Sequence, residues 1–204
     1  EGPIVIGVPF LFSMHAELLQ YWLAGTPLAS KELEIRTVPP QLMAQALAEG
    51  EVDAFCVGEP WGSVVVEQGL GALLLPGNAI WSFAPEKVLA VRREWTETHA
   101  HLMEPLMRAI WRAGRWLNSR GSKTATADML SRKRYLDVPS ELIDRSLSGE
   151  LVISTSGEHR KSKGFLEFFN GAVGFPWRSQ AKWIGHQMAR RHGLDTVEAE
   201  QKAG

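Results

Sequence analysis

Residues 52–61 read VDAFCVGEPW. A half-buried strand alternates apolar and polar side chains, whereas Val52, Ala54, Phe55, Cys56 and Val57 form an almost unbroken apolar run. That pattern predicts a strand covered on both faces, as in a parallel sheet with helices on either side. The run stops at Gly58-Glu59-Pro60-Trp61. Proline at a first helical position sacrifices no hydrogen bond, so Pro60 and Trp61 predict a helix start, with Gly69 as its end.

The same rhythm holds on either side of this decapeptide. Ile4–Val8 reads as a buried strand, followed by the loop Pro9–Phe12 and a helix starting near Ser13, whose hydroxyl can accept from a free backbone N–H. Leu18, Leu19, Trp22 and Leu23 fall on one face of that helix. Glu32–Val38 alternates as a second strand, Pro39-Pro40 ends it, and Leu42, Met43, Ala46 and Leu47 mark a second helix that Gly50 closes. Leu70–Leu75 reads as a further strand. Strand–helix alternation of this kind predicts an α/β unit with a largely parallel sheet over residues 1–75.

The organisation changes after Pro76-Gly77-Asn78. Val88–Val91 is one short strand candidate. From about His99 a long helix is predicted with Leu102, Leu106, Ile110, Ala113 and Leu117 on one face, Arg108, Arg112 and Arg115 opposite, and Pro105 in or near its first turn. Further helices are predicted over 124–131, 140–147, 165–169 and 179–192, the last stopping at Gly193, and the polar end 195–204 reads as frayed. So many helices with almost no strand form either a small bundle or the cover of a sheet lying outside this chain.

Composition narrows the partner. The 204 residues include 22 Lys and Arg against 23 Asp and Glu, a balance that gives no reason to expect nucleic acid or an acidic membrane as the main partner. The single cysteine cannot form an internal disulfide, and in apolar company it reads as inert. No apolar run approaches the ~18 residues of a membrane span. The opening EGPIVIGV enters a strand at once, without a basic and then apolar leader, and reads as a mature or truncated product. Nucleophile elbows, phosphate loops, dinucleotide fingerprints and paired-cysteine or His-Glu-x-x-His metal motifs do not occur in the sequence, so no catalytic residue, metal or cofactor is expected.

Four places could carry binding chemistry. Ser13-Met14-His15 joins a strand's C-terminal end to a helix N-terminus, where open α/β sheets bind ligands and the helix dipole favours anions. Pro39-Pro40 stiffens the next strand-to-helix turn, and Glu59-Pro60-Trp61 puts a carboxylate and an indole at a third. Lys87, at the entrance to Val88–Val91, could present a charge to an oxyanion. Each has a plainer alternative: a half-exposed helix-start histidine, a turn, a helix cap, a solvated lysine. The basic loop Glu158–Lys163 reads as simply exposed.

The ordered set His15-Ala16, Tyr21-Trp22-Leu23, Pro39-Pro40-Gln41, Phe55 through Trp61, Pro85 through Val88 and Phe175 through Ser179 resembles the nitrate- and bicarbonate-binding solute receptor family of ABC transporters. That family also contains cytoplasmic nitrate sensors controlling a partner antiterminator protein. The resemblance runs from about Ile4 to Gly193 and corresponds to roughly the C-terminal two-thirds of the family's length. It implies a type II periplasmic-binding-protein-like fold, with one α/β lobe at 1–75, the hinge return and helical C-terminal part of a second, incomplete lobe at 76–194, and a frayed tail at 195–204. Family members carry a preceding N-terminal lobe, which is expected as the missing partner of this chain.

By the family's pattern His15, Pro39 and Lys87 face the anion, with Ser13, Glu59, Pro60 and Trp61 at the cleft edge or helix start. Members often carry a hydroxyl residue where this chain has Met14, and asparagine where it has Gly62. Nitrate only accepts hydrogen bonds, so helix N–H groups, His15 and Lys87 suit it, whereas bicarbonate brings its own O–H and wants an acceptor. Lys87 therefore points to nitrate or nitrite. The implied role is a non-enzymatic binding component of an ABC uptake system, working with a permease and ATPase, periplasmic or held at the membrane as a lipoprotein. The alternative is the cytoplasmic sensor with its antiterminator. An enzyme resembling thiamine-pyrimidine synthesis proteins is a third reading, and Cys56 alone does not supply the cysteine-rich motif it needs.

Overall fold

Parallel pairing organises the first 75 residues. The computed structural model of the chain describes residues 2–30, 33–119 and 121–204. Strand β1 (Ile4–Val8) lies between β2 (Leu33–Thr37) and β3 (Ala54–Phe55), with both neighbours parallel to it and Val8 level with Thr37, Gly7 with Phe55. Glu32, the predicted first residue of the second strand, lies outside the described residues. Helix α1 (Met14–Ala24) follows β1, α2 (Met43–Ala48) follows β2 and α3 (Trp61–Glu67) follows β3, as the alternation predicts.

The period-2 alternation along β1 sends side chains to two separate cores. Ile6 and Val8 pack with Ala16, Leu19 and Leu23 of α1, while Val5 packs with Val38, Met43, Ala46 and Val52 on the α2 side. Gly7 lets α2 approach: a Cβ there would stand 3.1 Å from Met43 Sδ and 3.3 Å from Phe55 Cβ. Each large aliphatic side chain so buried contributes ~1.5–3 kcal/mol. The decapeptide that reads as doubly covered is only partly so. β3 is a two-residue edge strand in this sheet, with Val52 buried and Ala54 exposed.

Beyond residue 75 the short helices α4 (Gly77–Ile80) and α5 (Arg93–Thr98) lead into α6 (Ala100–Leu117), α7 (Ser122–Leu130) and α8 (Ser140–Ser148). Ala127, Val138, Leu142, Ile143 and Leu147 form a third core that packs on Trp61 and Val64 of α3. A two-stranded antiparallel hairpin, β4 (Glu150–Val152) with β5 (His159–Lys161), then appears where no strand is predicted, its outer strand being the exposed basic loop. Helix α9 (Arg178–Arg191) follows.

Four sequence expectations need correction. Leu70–Leu75 forms no strand: Leu70 N–H donates to Val65 O at 3.0 Å and Leu73 N–H to Ile153 O at 2.8 Å, isolated bonds without a ladder, and Leu74 is exposed. Val88–Val91 forms no strand either: among the described residues no backbone hydrogen bond engages 86–91, and Val88 is 73% exposed. An apolar pattern supplies β propensity but not a neighbouring edge, and without one there is no ladder. Residues 165–169 run through bends and irregular chain, not a helix. The tail 195–204 is ordered as α10 (Thr196–Ala203): Asp195 accepts from Glu198 N–H at 2.9 Å, His186 Nδ1 lies 2.7 Å from Glu200 Oε1, and Gly185 lets α10 lie against α9, since a Cβ there would meet Ala203 Cβ at 3.0 Å.

Helix α6 keeps its predicted amphipathic pattern but buries none of its residues, and Leu102 and Ile110 face solvent. Pro105 is its sixth residue, beyond the first turn, where its missing N–H deprives the His101 carbonyl of a helical partner.

Candidate functional site

The C-terminal ends of the three parallel strands open on one edge of the sheet, and the sequence places His15, Pro39 and Gly58-Glu59 just after them. Val38 N–H donates to Val8 O at 2.9 Å and Cys56 N–H to Gly7 O at 2.9 Å, which keeps the three strand ends level. Ser13 has extended backbone (φ −84°, ψ 156°) and its hydroxyl accepts from Ala16 N–H at 3.3 Å, so it caps α1 as predicted. This cap sets His15 as the second residue of the helix, at the positive end of its dipole.

His15 has 14% of its side chain exposed, and its Nε2 lies 3.7 Å from Glu86 Oε1. The same Glu86 oxygen contacts Lys87 Nζ. A Cβ on Gly58 would lie 3.6 Å from His15 Nε2, so the turn after β3 also abuts the imidazole. Burial pushes the His15 pKa below 6.5, with Glu86 pulling it up and Lys87 pushing it down. At neutral pH the ring is therefore neutral and offers one N–H. The fold thus brings together His15, the Gly58 turn, Glu86 and Lys87, a cluster of donors with one carboxylate among them. Pro39 stands exposed at the same edge, its carbonyl accepting from Leu42 N–H at 2.9 Å.

Glu59 points elsewhere. Its Oε2 accepts from Ser63 N–H at 3.1 Å and from Ser146 Oγ at 3.2 Å, so it satisfies the start of α3 and ties it to α8. Burial pushes this carboxyl above its ordinary value, and the hydrogen bonds from Ser63 and Ser146 pull it back. Gly62 makes room for it: a Cβ there would come within 2.7 Å of Glu59 Oε1 and 2.9 Å of Leu73 Cδ2. Pro60 is buried at the helix start, and Trp61 turns into the third core, lining a groove of about 230 Å³ with Pro40, Val64, Val138 and Pro139. Cys56 is a free thiol that burial pushes up to about 11, in keeping with a packing role.

Two contacts escape sequence reasoning. Glu86 lies 71 residues from His15 in the chain, and only folding sets the two side by side. Glu17, 2% exposed in the first turn of α1, receives both Arg191 Nη1 and Nη2 at 2.7 Å from the end of α9, 174 residues away. A glutamate inside the buried row Ala16–Leu19 is the one signal that could have raised it. Among the described residues no group of three or more His, Cys, Asp or Glu could hold a metal ion, and no helix is long and apolar enough to cross a membrane.

Comparison with known proteins places this geometry. Residues 1–131 match the model of the NMT1-like family. The chain is 32% identical over 191 residues, 93% of its length, to the nitrate import ATP-binding protein NrtC of Synechocystis sp., of which it spans 28%. It is 30% identical over 91% of its length to the bicarbonate transport ATP-binding protein CmpC of Synechococcus elongatus, of which it spans 27%. The chain thus covers less than a third of either relative. Among solved structures it superposes over its whole length on 53% of the periplasmic nitrate-binding protein NrtA from Synechocystis, with a TM-score of 0.90 at 24% identity. The fold is accordingly that of the periplasmic binding proteins, mixed α/β with helices dominating.

Proposed function

The chain belongs to the NMT1-like family, and from that premise we propose that it is the anion-holding part of a solute receptor serving an ABC uptake system, with nitrate or nitrite as ligand. The observation that carries this reading is the meeting of His15, at the N-terminus of α1, with Lys87 across the Glu86 carboxylate at the C-terminal edge of the parallel sheet. Helix N–H groups, one imidazole N–H and one ammonium form a donor-rich surface suited to an ion that only accepts. Pro39 contributes the exposed wall of the same edge.

In this reading residues 1–75 are one lobe, 76–194 return through the hinge into the second, and the N-terminal part of that second lobe covers the exposed apolar stripe of α6 and pairs with the unladdered segment 88–91. Anion binding draws the lobes together, and the closed form is what a permease and its ATPase recognise. That role is non-enzymatic and periplasmic or membrane-anchored. The cytoplasmic sensor acting on an antiterminator uses the same site.

One observation favours a second ligand. Glu86 gives the site an acceptor, which bicarbonate, with its own O–H, can use. The deciding experiment is calorimetric titration of nitrate and of bicarbonate into the protein carrying both lobes, with and without Lys87→Ala. Nitrate affinity falls about tenfold or more on losing a charge-assisted hydrogen bond; an unchanged affinity removes Lys87 from the site and the nitrate assignment with it.

A further inference from the structure

The Glu86 carboxylate stands where the proposed anion would stand. Its Oε1 lies 3.7 Å from His15 Nε2, beyond hydrogen-bond length, and contacts Lys87 Nζ, so one oxygen sits beside both side-chain donors assigned to the ligand. A carboxylate and a nitrate ion are alike in the features that matter here: planar, negatively charged and built only of acceptors. We propose that Glu86 is an internal competitor for the anion, a specificity-determining residue that holds the His15–Lys87 pair when no ligand is bound and must swing out when one enters. This rests on the reading of His15 and Lys87 as the anion site.

The surroundings permit that exchange. Glu86 is 46% and Lys87 81% exposed at the side chain, so the carboxylate has water to move into. The segment carrying it, 86–91, has no regular secondary structure and makes no backbone hydrogen bonds among the described residues, so it can shift without breaking a ladder. The His15 imidazole and the Lys87 ammonium are the side chains that face Glu86 among the described residues, so nothing else there anchors it in place. An incoming nitrate therefore trades one oxyanion for another at the same donors, and the displaced carboxylate remains nearby as a repelling charge. The net affinity is lower than the donor set alone would provide.

Two measurements on the protein carrying both lobes test this. The first is calorimetric titration of sodium nitrate into wild type, Glu86→Gln and Lys87→Ala. The second is an NMR pH titration of the His15 ring without nitrate, in wild type and Glu86→Gln. The glutamine keeps the shape and removes the charge, so nitrate binding tightens by about tenfold, and the His15 pKa moves down because the carboxylate that raised it is gone. If Glu86→Gln binds nitrate no more tightly than wild type while Lys87→Ala still weakens it, the competitor role is overturned and the site stands. If nitrate affinity is indifferent to both substitutions, the site itself is misassigned and the competitor role falls with it. An unmoved His15 pKa overturns the contact on which the proposal is built.

Discussion

Removing the Arg191 guanidinium tests what holds the last long helix to the first. Glu17 is 2% exposed and Arg191 21%, and the pair is bidentate, with each guanidinium nitrogen donating to its own carboxylate oxygen at 2.7 Å. The hydrogen bonds to Glu17 raise the Arg191 pKa further above its already high value. Arg191→Met keeps most of the aliphatic stem and leaves the Glu17 carboxylate dehydrated without a counter-charge. Deleting one partner of a buried pair costs ~3–5 kcal/mol, and the residual exposure of Arg191 puts this case near ~3 kcal/mol. At ~2–4 °C per kcal/mol for a chain of this size, the melting temperature falls by about 6–12 °C, readable by circular dichroism or calorimetry. Glu17→Leu combined with Arg191→Met recovers most of the loss, because no dehydrated charge is then left. A single variant that loses less than about 1 kcal/mol, or a double variant as unstable as the sum of its parts, would refute the claim that the ion pair fastens α9 to α1.

Glu59→Gln tests the buried carboxyl under the sheet edge. Its folded-state pKa is raised above 4.5, so its contribution is fully present below the unfolded value and is lost as pH rises through the folded one. The stability of the glutamine variant relative to wild type therefore increases as pH rises above the ordinary carboxylate range in denaturant titrations; a difference that does not change with pH would show the carboxyl to be solvated. Cys56, pushed up to about 11, is almost wholly protonated under mildly alkaline conditions and should react with an aromatic disulfide reagent on the order of a hundredfold more slowly in the native protein than after denaturation. Native labelling at the unfolded rate contradicts the buried placement.

How far the sequence could be read depended on whether a feature is settled by near neighbours. Strand β1 emerges with its predicted bounds because five consecutive residues with the right side chains define it. Ser13 caps α1 because capping involves atoms three residues apart. Cys56 reads as inert from its apolar company, and Glu59 as a helix cap from its position before Pro60. By contrast, Leu70–Leu75 and Val88–Val91 carry patterns as apolar as β1 and form no strands, since pairing depends on an edge supplied from elsewhere. The tail helix α10 was equally hidden, because its order comes from packing on α9 through Gly185 and His186.

The candidate site divides along the same line. The sequence alone determined the α/β alternation, the caps and glycine stops, and the placing of His15, Pro39 and Glu59 after strand ends, all consequences of local periodicity and backbone chemistry. Tertiary structure decided which of those residues face one another. It turned Glu59 inward to Ser146, set Glu86 between His15 and Lys87, and joined Glu17 to Arg191. The contacts of Glu86 with His15, Glu59 with Ser146 and Glu17 with Arg191 span 71 to 174 residues, and such separations are closed only by the packing of the sheet and helices in between, which no single stretch of sequence contains.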